Sequence, residues 1–319
     1  MFQFIKENRG TIIQYASLLF VILLFGIITG GNIFSSYNVK TLIGQISPLM
    51  IVSSGVVFMF ANGSIDIASG AVIGLCAMLS ALILNSTDSL PLALIVSVIV
   101  SIVLYLFSTF VSIKFGLVST IASLAIMFMA RGVITYVCSL MPSTVISLNN
   151  YSILQKFKTD PVLQIVITVS IVVITWIIFS FTKIGKGAIA IGDNPVSARQ
   201  SGIKIEKTKC ICAAIAGTCV GIASIFSLAR AGSVTKNIGS GIEMDIMVAI
   251  ILGGMSLAGG SKSKFSAAVI GTITFRLLSN GMTMSGVPTR YVSLIRGIIF
   301  LVIVFATLRQ SKNVKEMPR

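Results

Sequence analysis

Residues Lys183 to Lys209 read KIGKGAIAIGDNPVSARQSGIKIEKTK, a stretch that carries six Lys and Arg residues between two long apolar runs. Asp193 or Asn194 can cap a helix, Pro195 fits its first turn, and Val196 to Ser201 continue it until Gly202 supplies a stop. A helix of about two turns cannot stand alone in water. It must dock, either on the base of its own protein or in a partner's groove. A chain that is otherwise lipid-soluble and keeps such a basic insert presents a handle to something soluble.

Away from the insert, the solvent is hydrocarbon. Of 319 residues, 55% are hydrophobic and 10% charged, and the mean hydropathy is +1.01, whereas soluble domains carry about 25% charged residues. A bilayer core about 30 Å thick takes roughly 20 apolar residues per helix. Ten runs qualify, at 11–30, 41–61, 68–85, 91–113, 117–139, 161–182, 210–230, 243–258, 264–281 and 290–308. The third, eighth and ninth are short or interrupted by glycine, so nine or eleven spans also fit. The runs are continuous, not alternating as a membrane barrel requires. Lys6 and Arg9 precede the first run, but no small-x-small cleavage site closes it, so it counts as a span. The expectation is an all-α polytopic membrane protein: one transmembrane domain over 1–319, an inner insert at 183–209, and an external loop at 140–160 forming a small cap or short helix.

Basic residues set the orientation. With the N-terminus inside, 15 of the 24 Lys and Arg residues fall on the cytoplasmic side. Five fall outside (Lys40, Lys156, Lys158, Lys236 and Arg290), and four lie within spans (Arg131, Arg230, Arg276 and Arg296). Both termini are therefore expected in the cytoplasm. The net charge of +15 is a topology signal and a match to anionic lipid headgroups, and no aromatic-basic pattern points to nucleic acid.

Several chemistries lack their residues. No GxxxxGK[ST] loop is present, and GGSKSK at Gly259 to Lys264 has the wrong spacing to cradle phosphates. Histidine is absent, which removes HExxH zinc proteases, Ser-His intramembrane proteases and histidine proton relays. Asp66 and Asp245 would lie near opposite membrane faces, which argues against a membrane aspartyl protease. The five cysteines, at 76, 138, 210, 212 and 219, read as buried free thiols that pack as small apolar groups. They suggest neither a disulfide framework nor a metal site.

A charge at the centre of a lone membrane helix costs about 2.5 to 3.5 kcal/mol on insertion scales, so it should face the bundle or a wet cavity. Arg131, Arg230, Asp66, Glu243 and Asp245 qualify, and Asn62, Ser69, Gly253 and Gly254 join them as candidate path or gate residues. Bland roles compete. Ser64 or Asp66 can cap the third span, and Glu243 and Asp245 suit the first turn of a helix or a salt bridge with Arg230 or Arg131. The pairs Gly70/Gly74 and Gly217/Gly221 permit close backbone packing, as do Gly253, Gly254, Gly259 and Gly260. Asp66 precedes the third span as Glu243 and Asp245 precede the eighth, five spans later. This odd offset suggests two inverted halves with a path between them.

Three segments together resemble the permease subunits of ribose-type monosaccharide ABC importers. They are AIGDNPVSARQSGI (Ala190 to Ile203), NGSIDIASGAVIGL (Asn62 to Leu75) and AGSVTKNIGSGIEMDIMVAIILGGMSLAGG (Ala231 to Gly260). The resemblance covers nearly the whole chain. It implies a permease dimer, homo- or heteromeric, in the cell membrane, with two cytoplasmic ATPase subunits that hold ATP and Mg, and an extracytoplasmic sugar-binding protein. No cofactor is expected in this chain, and no catalysis. The resemblance further implies that Asp193 to Gly202 forms a coupling helix seated in the ATPase, which assigns coupling to Gly192, Asp193, Asn194, Pro195, Ala198, Arg199, Ser201 and Gly202. The family's Gly-Tyr-Glu-Leu-Asp flavour is here Gly241, Ile242, Glu243, Met244 and Asp245, and a frequent Gly pair is Gly63 and Ser64. The carboxylates are kept, while assignment to one sugar is weakened.

The expected activity is alternating access driven from inside, with high affinity residing in the binding protein. Two alternatives stay open: an ATPase-independent carrier or channel for a small polar solute, and the same architecture carrying a nucleoside or a furanose signalling sugar. A membrane enzyme would need catalytic residues facing one another, and no such set is evident.

Overall fold

A computed structural model describes residues 9–301, with 142, 257, 289, 293, 296, 299 and 300 excepted. In chain order the helices are α1 (Arg9–Ile28), α2 (Ser36–Ala61), α3 (Ser69–Thr87), α4 (Leu90–Phe115), α5 (Ser119–Ser139), α6 (Ser152–Thr159), α7 (Pro161–Phe181), α8 (Lys183–Asp193), α9 (Pro195–Gln200), α10 (Ile205–Ala231), α11 (Ile242–Leu252) and α12 (Ser266–Met284). A 3-10 turn at Asn32–Phe34 links α1 to α2. Among the described residues, six helices (α2, α3, α4, α5, α7 and α10) are long and apolar enough to cross a membrane. The chain is an all-α polytopic membrane protein. One small exception is a pair of two-residue strands, β1 (Ile146–Ser147) and β2 (Ser233–Val234), which pair antiparallel. The tenth apolar run lies largely outside the described residues, as do Lys6, Arg296 and the basic tail.

Local chemistry fixes the helix ends. Ser35 caps α2 by accepting from the Asn38 amide, and Asp160 caps α7 by accepting from Val162 and Leu163, with Pro161 in the first turn. Gly116 and Gly232 close α4 and α10 in the left-handed conformation that glycine adopts without a Cβ penalty.

Helices α2, α3 and α10 form the centre of the bundle: 72%, 67% and 67% of their apolar windows are buried, against 22% for both α4 and α7. Small residues let these central helices touch. Gly55 of α2 sits so close to Cys219 and Ala216 of α10 that a Cβ there would lie 2.7 Å from the Cys219 side chain. Gly217 and Gly221 receive α4, and Ser101 of α4 donates to the Gly217 carbonyl at 2.6 Å. A buried hydroxyl pair, Ser80 and Ser97 at 2.5 Å, ties α3 to α4. Close approach and interhelical hydrogen bonds replace the hydrophobic drive that lipid cannot supply. All five cysteines are free, and four are buried.

One face of the bundle gathers β1, β2, α6 and the ends of α3 and α10. Asn85 donates to the Ser147 carbonyl at 2.8 Å, and the Tyr151 hydroxyl donates to the Ala229 carbonyl at 2.5 Å. The opposite face gathers the end of α2, the insert α8–α9, and the loop 253–265 between α11 and α12. There the Gly260 amide donates to the Ala61 carbonyl at 3.0 Å.

The eighth run is corrected by the structure. It ends as a helix at Leu252, not at 258, because Gly253 and Gly254 turn the chain, the latter at φ +82°. An 11-residue helix is about 16 Å long, roughly half of the hydrocarbon thickness. It is preceded by the turn segment 235–241, which joins β2 to α11 and packs along α3 and α5, so that segment and short helix form a broken element. Arg131, about 18 Å into α5, meets it at Ile238, and Gly70 in the first turn of α3 meets it at Gly239.

Candidate functional site

Buried and half-buried polar residues collect where this broken element meets α3, α4 and α5. In the segment 235–241, Ile238 is buried against α3 and α5, while Thr235, Lys236, Asn237 and Ser240 are exposed. Arg131 Nη1 donates to the Ile238 carbonyl at 2.5 Å, and the same guanidinium interacts electrostatically with Glu243. A Cβ on Gly74 would lie 2.6 Å from the Ile238 carbonyl, and one on Gly70 would fall on the Glu243 carboxylate and the Gly239 carbonyl. The Gly70/Gly74 pair therefore receives the turn backbone at Ile238 and Gly239, not another helix. Gly241, at φ +83°, opens α11, and Glu243 Oε1 accepts from its amide at 3.2 Å. Arg131 Nη2 and Glu243 Oε2 are both buried with no hydrogen-bond partner. A charged donor and a charged acceptor thus stand unsatisfied beside one another's elements, closed off from solvent.

Asp66 lies 3% exposed beneath this cluster. Its carboxylate accepts from the Ala68 amide at 3.0 Å, from the Ser69 hydroxyl, and from the Tyr105 hydroxyl at 2.7 Å. The first two contacts lie just before the start of α3, where Ala68 is the N-cap and no side chain caps the helix amides, which corrects the expected cap by Ser64 or Asp66. The third anchors α4, and nothing in the sequence pointed to it, since Tyr105 is one aromatic residue in an apolar run. Asn62, 4% exposed, donates to Phe58 at the end of α2, and Ser123 of α5 holds the Ile67 amide. The segment 62–68 is fixed at both ends.

The remaining acids and bases separate. Asp245 pairs with Arg276 of α12 at 3.3 Å, which corrects the expected pairing with Arg230 or Arg131. The half-helix turns Asp245 toward α12, whereas Arg230 is exposed in the last turn of α10. In that last turn a cation meets the negative end of the helix dipole. Gly253 and Gly254 are closely packed: a Cβ on Gly253 would strike the Ala267 backbone, and one on Gly254 would lie 2.8 Å from Gln14.

The insert is two helices. Asn194 caps α9 by accepting from Val196 and Ser197 at 2.9 and 3.2 Å, with Pro195 in its first turn. Gly202, at φ +81°, ends the segment after Ser201. Ala198 is buried, while Val196 is 66% exposed, an apolar side chain facing away from the bundle. Arg199 forms a 2.7 Å ion pair with Glu206 in the first turn of α10. Asp193 departs from its expected place: it is the last residue of α8, and its carboxylate accepts from the Ser261 amide at 2.7 Å. Gly192 beside it leaves no room for a Cβ between the Ala61 carbonyl and the Gly260 amide.

The fold is a polytopic helical bundle with a short helix inside it and an insert docked on one face. The chain belongs to the branched-chain amino acid transport system / permease component family, which it matches over residues 38–304. It is 25% identical to the ribose import permease protein RbsC of Escherichia coli (strain K12) over 93% of this chain and 94% of that protein. Against RbsC of Bacillus subtilis (strain 168) the identity is 27%, over 92% and 91%. It is also 25% identical to the galactose/methyl galactoside import permease protein MglC of Escherichia coli (strain K12), over 89% and 90%. No solved structure matches the chain.

Proposed function

We propose that this chain is the permease subunit of an ATP-driven importer, forming the translocation path for a monosaccharide of the ribose or galactose type. Three observations support the reading: the relatives that match end to end are import permeases for those sugars, the insert offers an apolar side chain at Val196, and the sequence contains no nucleotide loop. ATP and Mg then sit on separate cytoplasmic subunits, and an extracytoplasmic binding protein delivers the sugar to a pair of permeases in the cell membrane.

In this account the chain crosses ten times with both termini inside, and the face bearing α8 and α9 is cytoplasmic. That placement puts the insert's six basic residues on the side that basic residues favour. The two halves are inverted about the contact of Gly70 with Gly239, where an acidic helix start from each half, Asp66 and Glu243, approaches the membrane centre.

The observation that carries the proposal is the unsatisfied pair Arg131 Nη2 and Glu243 Oε2. A sugar hydroxyl both donates and accepts, so it satisfies a guanidinium and a carboxylate at once. In the present conformation both atoms are covered, and a shift of α11 away from α3 would uncover them. The test is ATP-driven uptake of labelled ribose and galactose by vesicles holding the complete complex. Arg131→Gln and Glu243→Gln should each lower uptake at least about tenfold, the loss that roughly 1.4 kcal/mol of lost binding produces, with membrane insertion retained. Wild-type uptake of both sugars in both variants would remove the cluster from the path.

A further inference from the structure

We propose that Asp193 is a yoke: its carboxylate binds the insert to the loop that carries the half-helix α11, so that motion of the insert reaches the broken element directly. The inference rests on the permease reading above and adds the route by which movement travels. Three backbone segments meet at this point. The Asp193 carboxylate accepts from the Ser261 amide at 2.7 Å, the Gly260 amide donates to the Ala61 carbonyl at 3.0 Å, and the Gly260 carbonyl accepts from Ser263 at 2.8 Å. Gly192 permits the approach, because any Cβ there would overlap the Ala61 carbonyl and the Gly260 amide. Gly259 and Gly260 take φ values of +74° and +84°, which lets the loop turn its amides toward α2 and α8.

Two side-chain links of the insert differ in what they reach. Arg199 ties α9 to α10, a long central helix packed on α2 and α4. The Asp193 clasp ties α8 instead to the loop 253–265, whose first residues end α11. Helix α11 is short, begins at the Arg131 and Glu243 cluster, and is bounded by glycines at both ends, Gly241 before it and Gly253 with Gly254 after it. A pull on Ser261 therefore acts on an element that can shift without tilting a whole span. Asp193 is a positioning residue, since it touches neither the polar cluster nor, by its bond to Ser261, the exposed face of α9.

The experiment measures sugar moved per ATP hydrolysed in vesicles holding the full complex. Asp193→Ala should lower that ratio at least about tenfold, and Asp193→Asn, whose side-chain oxygen still accepts from Ser261, should recover most of it. An unchanged ratio in Asp193→Ala, or equal losses in both variants, would overturn the yoke. A second readout uses the purified chain alone, by amide hydrogen exchange. Asp193→Ala should speed exchange at Ser261 and onward through 253–258 into the last turn of α11, while Asn194→Ala, which uncaps α9, should not. Faster exchange confined to Ser261 would refute the coupling even if the wild-type complex fails to use ATP, a failure that would instead count against the permease reading.

Discussion

Arg131 and Ile238 stand 107 residues apart in the chain, yet the Arg131 guanidinium donates to the Ile238 carbonyl at 2.5 Å inside the bundle. This bond holds the turn segment 235–241 against α5 through the buried Ile238. Removing one partner leaves a buried carbonyl unpaired, at a cost of about 1–3 kcal/mol. Arg131→Ala is expected to reach the membrane but to lose thermal stability by that order, measured as the melting of the purified protein by size-exclusion chromatography. A wild-type melting curve would mean that the bond holds nothing.

Gly70 and Gly132 offer an internal comparison. A methyl group on Gly70 collides with the Glu243 carboxylate and the Gly239 carbonyl, whereas one on Gly132 meets nothing within 4 Å. Gly70→Ala should destabilise by about 1–3 kcal/mol, as overpacking does. Gly132→Ala should be neutral or stabilising by about 0.5–1 kcal/mol, since alanine is the better residue inside a helix. Equal melting temperatures for the two variants would contradict the described approach of the turn segment to α3.

Asp245 and Arg276 form a largely buried ion pair between α11 and α12. Removing one partner of such a pair costs about 3–5 kcal/mol, whereas neutralising both costs far less. Asp245→Asn should therefore fold poorly, and Asp245→Asn with Arg276→Gln should recover. Yield and melting temperature of the two proteins decide it; a double variant worse than the single would show that the residues act independently.

Arg199 and Glu206 separate two roles for one charge. Their 2.7 Å bond is well exposed, and exposed pairs contribute at most about 1 kcal/mol. Arg199→Glu alone should lower ATP-driven uptake. If Arg199 serves only to hold α9 on α10, the exchange Arg199→Glu with Glu206→Arg restores uptake. If it contacts an ATPase, the exchange does not. The account expects restoration, read by uptake in vesicles.

Much of this was legible in the sequence, and the remainder was hidden for physical reasons. Run length and hydropathy located nine helices, since hydrocarbon tolerates little else, and the Asn194, Pro195 and Gly202 signals outlined α9. The shortness of α11 was only hinted at, because Ile242 to Leu252 is as apolar as a long span and apolar residues continue after Gly254. Partners of buried charges were not legible at all: Asp245 finding Arg276, and Asp66 finding Tyr105, depend on helix rotation, which uniform apolar faces do not encode. Asp193 reads as a helix cap in sequence, and only the return of the chain at Ser261 gives it another use.

The most direct measurement is solute flux into vesicles containing this chain, with and without its ATPase and binding protein. The account predicts that ribose or galactose enters only when both companions and ATP are present, and that the chain alone passes nothing above leakage. Rapid gradient-driven sugar entry through the chain alone would contradict it.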